Sequence, residues 1–285
     1  MAEATSTGRT AKERVLWTLT QLLSWPALFP LFRGLQKLCM HAMNRTTAGF
    51  LPVSDTGERR VAAQVVRRVR TSRPAVIFDC GANIGAYTAM VLAECEAARV
   101  TASVHMFEPS SQCHRQLETR FAAQSASVHL HHAAVSDESG RASIFFAWPG
   151  AGGTSLSSET SRIQGTSSLG QHSEDVATIT LDDFCAQAGI AEIDLLKLDI
   201  EGAELRALAG AEQLIERGAI GAIQFELGSA ALPVGSNLYQ FWVRYAERFD
   251  FYLVMVHGLK RIDDYAPDLE CFYAASTFLM LRKSK

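Results

Sequence analysis

The pattern of apolar and polar positions changes character at Pro74. Upstream, apolar residues recur at helical spacing: Leu16, Leu19 and Leu23 first, then Val61, Val65, Val66 and Val69 among arginines. Downstream, short apolar runs alternate with helix-length amphipathic stretches. AVIFD (75–79), SVHMFE (103–108) and SVHLHH (127–132) read as strands, with helices predicted over 83–97 and 110–124. IDLLKLD (193–199) and AIGAIQFE (219–226) are two more strands, flanking a helix predicted over 203–217. Such alternation predicts a parallel sheet covered on both faces. After a helix near 237–248, FDFYLVMVHG (249–258) and CFYAASTFLML (271–281) follow with no helix between them, which predicts an antiparallel pair closing the sheet.

Two stretches interrupt this order. RASIFFA (141–147) and VATITL (176–181) read as an extra strand pair around a Gly/Ser-rich insertion at 148–175, of a length that suits a lid, a binding loop or disorder. Val15–Phe32 is uncharged between Arg14 and Arg33, and is broken by Pro26 and Pro30. It is barely long enough to span a bilayer, and packing on the domain, lying on a membrane surface and spanning are its three readings. The expected organisation is a helical N-terminal appendage over 1–72, disordered through residue 14, followed by one domain over 73–285.

Composition narrows the function classes. A chain of 285 residues, 48% of them hydrophobic, can bury one large α/β core. A net charge of -3 gives no electrostatic reason to expect a nucleic-acid partner. The arginines running from Arg59 to Arg70 read as the solvated face of a helix. None of the six cysteines forms a C-x-x-C pair, and no secretory signal opens the chain, so a reduced, cytoplasmic protein is expected, with membrane association left open through 15–32.

The chemistry collects at the ends of the predicted strands. The first runs into Asp79-Cys80-Gly81-Ala82-Asn83-Ile84-Gly85, where glycines allow a tight turn and close approach of a ligand. The spacing is G-x-x-x-G, which argues against a nicotinamide-binding fold. Glu108 ends the second strand, where a carboxylate can accept both hydroxyls of a ribose, and Pro109 opens the next helix. Lys197, Asp199 and Glu201 fall on one side of the strand that runs out at LKLDIEGAE; buried charges there must be paired or used. Glu226, Asp199 and His257 are the candidate general bases, each equally open to a structural role. Asp199, Glu201, Glu204 and Glu226 raise the question of a metal, and the reading is against one. Asp182 and Asp183 are read as a helix N-cap. Trp148, Phe241 and Trp242 are open to sugar stacking or to core packing, and His131 and His132 to core or surface placement.

DCGANIGAYT, HMFEPS, HHAAVSD, TLDDF, LLKLDIEGAELRALAGAEQLI and IQFELG, in this order over about residues 75–228, resemble the FkbM-type S-adenosylmethionine-dependent methyltransferases. The resemblance implies a class I methyltransferase (Rossmann-like) α/β fold, with a seven-stranded, mostly parallel sheet and helices on both faces. It also implies S-adenosylmethionine as cofactor and O-methylation of a small-molecule or glycan acceptor with a free hydroxyl. By that resemblance Asp79, Gly81, Asn83 and Gly85 line the methionine and ribose side, and Glu108 holds the ribose. Ala134, with Ser136 or Asp137, borders the adenine, and Asp199 lies beside the methionine amine and the transfer centre. Cys80 stands where the family often has a small aliphatic residue. The rival reading is a non-catalytic protein of the same fold that binds a membrane or a protein partner.

Overall fold

In a computed structural model the described residues are 10–43, 55–69, 72–146, 154–163, 172–270 and 275–283. They fall into two compact units, Met1–Met43 and Asn44–Lys285. In the first, α1 (Ala11–Leu23) and α2 (Phe29–Ala42) are joined by one 3-10 turn at Pro26–Leu28. Residues 11–14, expected to be disordered, are helical because a capping box fixes the start of α1. The Thr10 hydroxyl accepts the Glu13 N–H, and the Glu13 carboxylate accepts the Thr10 N–H at 2.7 Å. The prolines fall where helices tolerate them, at the opening of the 3-10 turn and of α2.

The second unit contains α3 (Glu58–Val66), β1 (Ala75–Cys80), α4 (Ala86–Ala98), β2 (Ala102–Phe107), α5 (Ser111–Arg120) and β3 (Val128–His131). Next come β4 (Ala134–Val135), β5 (Gly140–Phe146), α6 (Ser158–Ile163), β6 (His172–Ile179), α7 (Leu181–Ala188) and β7 (Ile193–Leu198). The unit ends with α8 (Glu204–Ala209), α9 (Glu212–Glu216), β8 (Ile220–Leu227), α10 (Leu238–Tyr245), β9 (Phe249–Met255), β10 (Gly258–Ile262) and β11 (Ser276–Arg282).

The main sheet runs β3-β2-β1-β7-β8-β11-β9-β10. Its first five strands are parallel, and β11 enters antiparallel between β8 and β9; its antiparallel pairing with β9 is the part that the sequence pattern predicts. This is the class I methyltransferase arrangement, with eight strands rather than the expected seven. The extra strand, β10, pairs antiparallel with β9 at the edge. Only Ile262 of its five residues is buried, so no apolar alternation marks it in the sequence. The extra pair β5 and β6 forms a separate small sheet with β4.

Both faces of the main sheet are buried. On one, Ile77, Leu195, Ala222 and Leu279 meet Val61 and Val65 of α3 and Val91 of α4. On the other, Phe78, Leu196, Ile223 and Phe225 meet Leu208, Leu214 and Phe241. The boundary expected at residue 72 is therefore corrected: α3 belongs to the sheet domain, because Val61, Ala62, Val65 and Val66 form one apolar stripe buried against it. Within the insertion, residues 148–153, Trp148 among them, and 164–171 lie outside the described set, but Ser155 and Thr160 are tied to the loops beyond β7 and β8. There the Ser155 hydroxyl donates to the Glu201 carbonyl at 2.9 Å, and the Thr160 hydroxyl to the Ala230 carbonyl at 3.1 Å.

The helix predicted over 203–217 is two short helices. Gly210 is pressed so closely on the Ser136 carbonyl that a Cβ would lie 2.1 Å from its oxygen, and the chain breaks there. The Asp182 carboxylate accepts the N–H groups of Gln213 and Leu214 at 3.0 Å, capping α9 from across a loop. The cap of α7 is Thr180, whose hydroxyl accepts the Asp183 N–H, so neither aspartate fills the cap position expected for them.

Candidate active site

Gly81 leaves β1 in a left-handed conformation (φ +82°), and a Cβ there would lie 1.9 Å from the Asp199 carbonyl oxygen. Only glycine lets the loop pass so close to the exit of β7. Gly85, also left-handed, packs on Phe121 and Leu117 and opens α4. The N–H groups of Gly81 and Ala82 both donate to the Phe107 carbonyl, which ties the loop to the end of β2. Glu108 completes the tie, since its carboxylate accepts the Asn83 N–H at 2.7 Å and the Ser110 N–H at 2.8 Å. Burial pushes this carboxyl up to about 7 in spite of those two donors. Each of its oxygens keeps a second lone pair, and Asn83 and Ile84 stand exposed beside it.

The register of the parallel strands builds the second half of the site. Asp79, Lys197 and Gln224 are direct neighbours on β1, β7 and β8, so their side chains share the face covered by α3 and α4. Lys197 Nζ lies 3.3 Å from Asp79 Oδ1 and 3.2 Å from Asp199 Oδ2. It also lies 4.9 Å from the centre of the Tyr87 ring. Asp79 is fully buried and takes a second hydrogen bond from the Thr88 hydroxyl at 2.7 Å. Burial alone would lower Lys197, but Asp199, Asp79 and Glu58 outweigh it and hold the ammonium charged. Glu58, at the start of α3, accepts from the Gln224 amide at 2.6 Å and from the Thr56 hydroxyl at 2.8 Å.

Two residues further along β8, Glu226 lies on the same face as Gln224, at the carboxyl end of the strand. Its carboxyl is raised well above the usual range, first by burial and then by the charges of Asp199, Glu201 and Glu58. Glu58 is raised as well, chiefly by burial. Four carboxyl groups, from Glu58, Asp79, Asp199 and Glu226, thus share the field of one ammonium, and two of them, Asp79 and Asp199, touch it. The turn beyond β7 is held by Glu204, whose carboxylate accepts the N–H groups of Ile200 and Gly202 at 3.2 and 3.1 Å. That anchorage sets Glu201 and Gly202 in left-handed backbone. Among the described residues no group of three or more His, Cys, Asp or Glu is arranged to hold a metal ion.

The other candidates from the sequence lie apart from this cluster. Ala134 is buried in β4, and Ser136 is buried just beyond it. Asp137 pairs with Arg206 at 2.8–2.9 Å, which lowers its carboxyl. His257 stands exposed in the turn between β9 and β10. It lines a surface depression of about 560 Å³ with Arg59, Arg60, Arg67 and Glu94, and no hydrogen bond or ion pair given by the described residues joins it to Asp199 or Glu226. Phe241 is core, stacked on Phe225 at 4.2 Å between ring centres, and Trp242 packs on Phe251. His131 is partly buried against His105 and Phe107. His132 is exposed, within reach of the Pro109 carbonyl and Glu174.

Sequence reasoning missed Glu58, Tyr87 and Gln224. The signal for Glu58 was present: Glu58, Val61, Ala62 and Val65 stand at i, i+3, i+4 and i+7, so the acid shares the buried stripe. Gln224 lies between Ala222 and Glu226 in the alternation of β8, on the same face as both.

Comparison with known proteins places the chain in a family. The family model described as "Methyltransferase FkbM domain" matches residues 79–253, from the buried aspartate of β1 into β9. The 31-O-demethyl-FK506 methyltransferase FkbM of Streptomyces tacrolimicus is 34% identical over 162 residues, 48% of this chain and 59% of that protein. Among solved structures, a methyltransferase FkbM from Methylobacillus flagellatus KT is 14% identical, with a TM-score of 0.44 over 85% of this chain and 57% of that one. An rRNA methylase from Streptococcus thermophilus is 10% identical, with a TM-score of 0.43 over 84% of this chain and 100% of that one. The chain therefore spans less than two thirds of the curated relative and of the Methylobacillus protein. With the glycine loop tied to Glu108 and the Asp79–Lys197–Asp199 row inside the matched segment, which covers more than half of the chain, the chain belongs to the FkbM methyltransferase family.

Proposed function

We propose that the protein transfers a methyl group from S-adenosylmethionine to a hydroxyl oxygen of a sugar, lipid or natural-product acceptor. The residues fit the cofactor: Glu108 keeps one free lone pair on each oxygen for a pair of ribose hydroxyls, beside a preformed glycine loop. Asp199, whose side chain is 41% exposed, keeps an oxygen for an ammonium group beyond the one held by Lys197. Ala134 and Ser136, at the carboxyl edge beyond β3, are assigned to the adenine side.

When bound, the cofactor supplies a sulfonium methyl, a carbon electrophile that needs alignment rather than protein covalency. Glu226 is assigned as the base that takes the acceptor's hydroxyl proton onto its carboxylate. The observation that carries this reading is the place of Glu226 at the carboxyl end of β8, on the face that holds Asp79, Lys197 and Asp199, where burial raises its affinity for a proton. Lys197 holds Asp199 by one oxygen, Oδ2, at 3.2 Å. Glu58 and Gln224 keep that wall fixed from beneath.

Calorimetric titration of the full chain with S-adenosylmethionine and S-adenosylhomocysteine tests the cofactor half. Micromolar binding that is lost in Glu108→Ala is expected, and absence of binding by folded wild-type protein refutes the proposal. With an acceptor found, Glu226→Gln should lower kcat by about 100-fold or more while leaving cofactor affinity unchanged. An active Glu226→Gln enzyme assigns the base elsewhere.

A further inference from the structure

Helices α1 and α2 contain no buried residue, although thirteen of their large apolar side chains, or those of the flanking turns, are exposed. On α2 the apolar residues gather on one face. Leu31, Leu35 and Leu38 stand at i, i+4 and i+7 and are 57%, 47% and 65% exposed. Arg33, Lys37 and His41 form the opposite face at i, i+4 and i+8. Tryptophans sit on α1 and at the bend, with Trp17 51% and Trp25 67% exposed. From residue 14 to residue 54 the sequence contains no Asp or Glu, while Arg14, Arg33, Lys37 and Arg45 are all cationic.

We propose that α1 and α2 form an interfacial anchor lying in the surface of an anionic phospholipid bilayer. Length excludes each helix from spanning: the 13 and 14 residues of α1 and α2 give about 20 Å each, against a hydrocarbon core of about 30 Å. The helices meet at 89°, so both can lie in one plane. An apolar face beside cations, with aromatic residues at the margin, is the composition that inserts shallowly among headgroups. Charge selects lipid over a second copy of the chain, because two such surfaces, each with Glu13 as the one acid of α1 and α2 beside Lys12, Arg14, Arg33 and Lys37, would bring like charges together.

The test is co-sedimentation of the full chain with vesicles of phosphatidylcholine alone and of phosphatidylcholine with 30% phosphatidylglycerol, the latter about 30% anionic. Binding to the anionic vesicles at least tenfold tighter than to the neutral ones, and weakened by salt, is expected. Arg33→Gln/Lys37→Gln should weaken it about 25-fold, from about fivefold per charge. Leu31→Gln/Leu35→Gln/Leu38→Gln should abolish it. Neither variant should change the unfolding transition of the sheet domain, since no residue of α2 is buried. Equal binding to neutral vesicles, or none to either, overturns the proposal. So does lipid-independent dimerisation that the leucine variant abolishes, which would assign this face to a second copy.

Discussion

Lys197→Met removes the one ammonium among four carboxyl groups, and its cost follows from the geometry. At 3.3 Å from Asp79, an effective dielectric constant of about 20 gives a gross attraction of about 5 kcal/mol. Most of that attraction offsets the desolvation of two buried groups, so the pair's net worth is small. Removing one partner is different, because Asp79 is then left fully buried with, among the described residues, a side-chain hydrogen bond only from Thr88. Breaking a buried pair in this way costs about 3–5 kcal/mol. The contact with the 41% exposed Asp199 adds no more than about 1 kcal/mol. Urea unfolding followed by circular dichroism should therefore show Lys197→Met less stable by about 3–5 kcal/mol, with an unchanged m-value. Lys197→Met/Asp79→Asn should recover at least half of the loss, since the amide oxygen still accepts from Thr88 and no charge remains. A deficit below about 1 kcal/mol, or no recovery in the double variant, would refute the view that Asp79 depends on Lys197.

Three further expectations follow from individual groups. Glu108, raised to about 7, accepts hydroxyls best when ionised, so the affinity for S-adenosylmethionine should weaken as pH falls below 7, approaching about tenfold per unit. Calorimetry at pH 8 and 6 should show that trend flattened in Glu108→Gln. Glu204 is raised to about 8 by burial. A raised folded-state value contributes stability that is full below the unfolded value near 4.5 and is lost as pH rises through 8. Unfolding free energy should fall by about 1–3 kcal/mol from pH 5.5 to pH 8.5, and by less in Glu204→Gln, which keeps an acceptor for Ile200 and Gly202. Asp182→Ala removes the acceptor for two N–H groups of α9 and should cost about 1 kcal/mol, read as a lowered Tm; an unchanged Tm would deny Asp182 the capping role.

Much of the fold was legible because the elements of the main sheet carry strong local patterns. β1 and β7 are apolar on both faces, and Gly81, Gly85 and Pro109 punctuate the strand ends. β10 was not legible, since an exposed edge strand held by one neighbour needs no apolar alternation. The break at Gly210 was hidden for another reason: it comes from a close approach to Ser136, a contact between segments far apart in sequence. The start of α1 was visible in principle, as Thr10 and Glu13 have the spacing of a capping box. At the site, the spacing of Lys197 and Asp199 placed them on one side, but their partners required register. That Asp79, Lys197 and Gln224 are neighbours is a property of strand pairing, which no single segment reveals.

Not every group that acts on the proposed base lies within the matched segment. The glycine loop, Glu108, the Asp79–Lys197–Asp199 row and Glu226 all fall within residues 79–253. Glu58 does not, yet it touches Gln224 and adds a negative charge to the field that raises Glu226. α3 therefore does more than cover the sheet. By setting the charge behind the proposed base, it makes the proton affinity of Glu226 depend on a helix outside the family segment. Removing the Glu58 charge should lower the carboxyl of Glu226 and move any pH–rate profile toward acid, with the Gln224 contact kept by Glu58→Gln. A structural role alone would change stability without moving that profile. The position of the profile, rather than the height of its maximum, is thus the quantity that separates the two roles of α3.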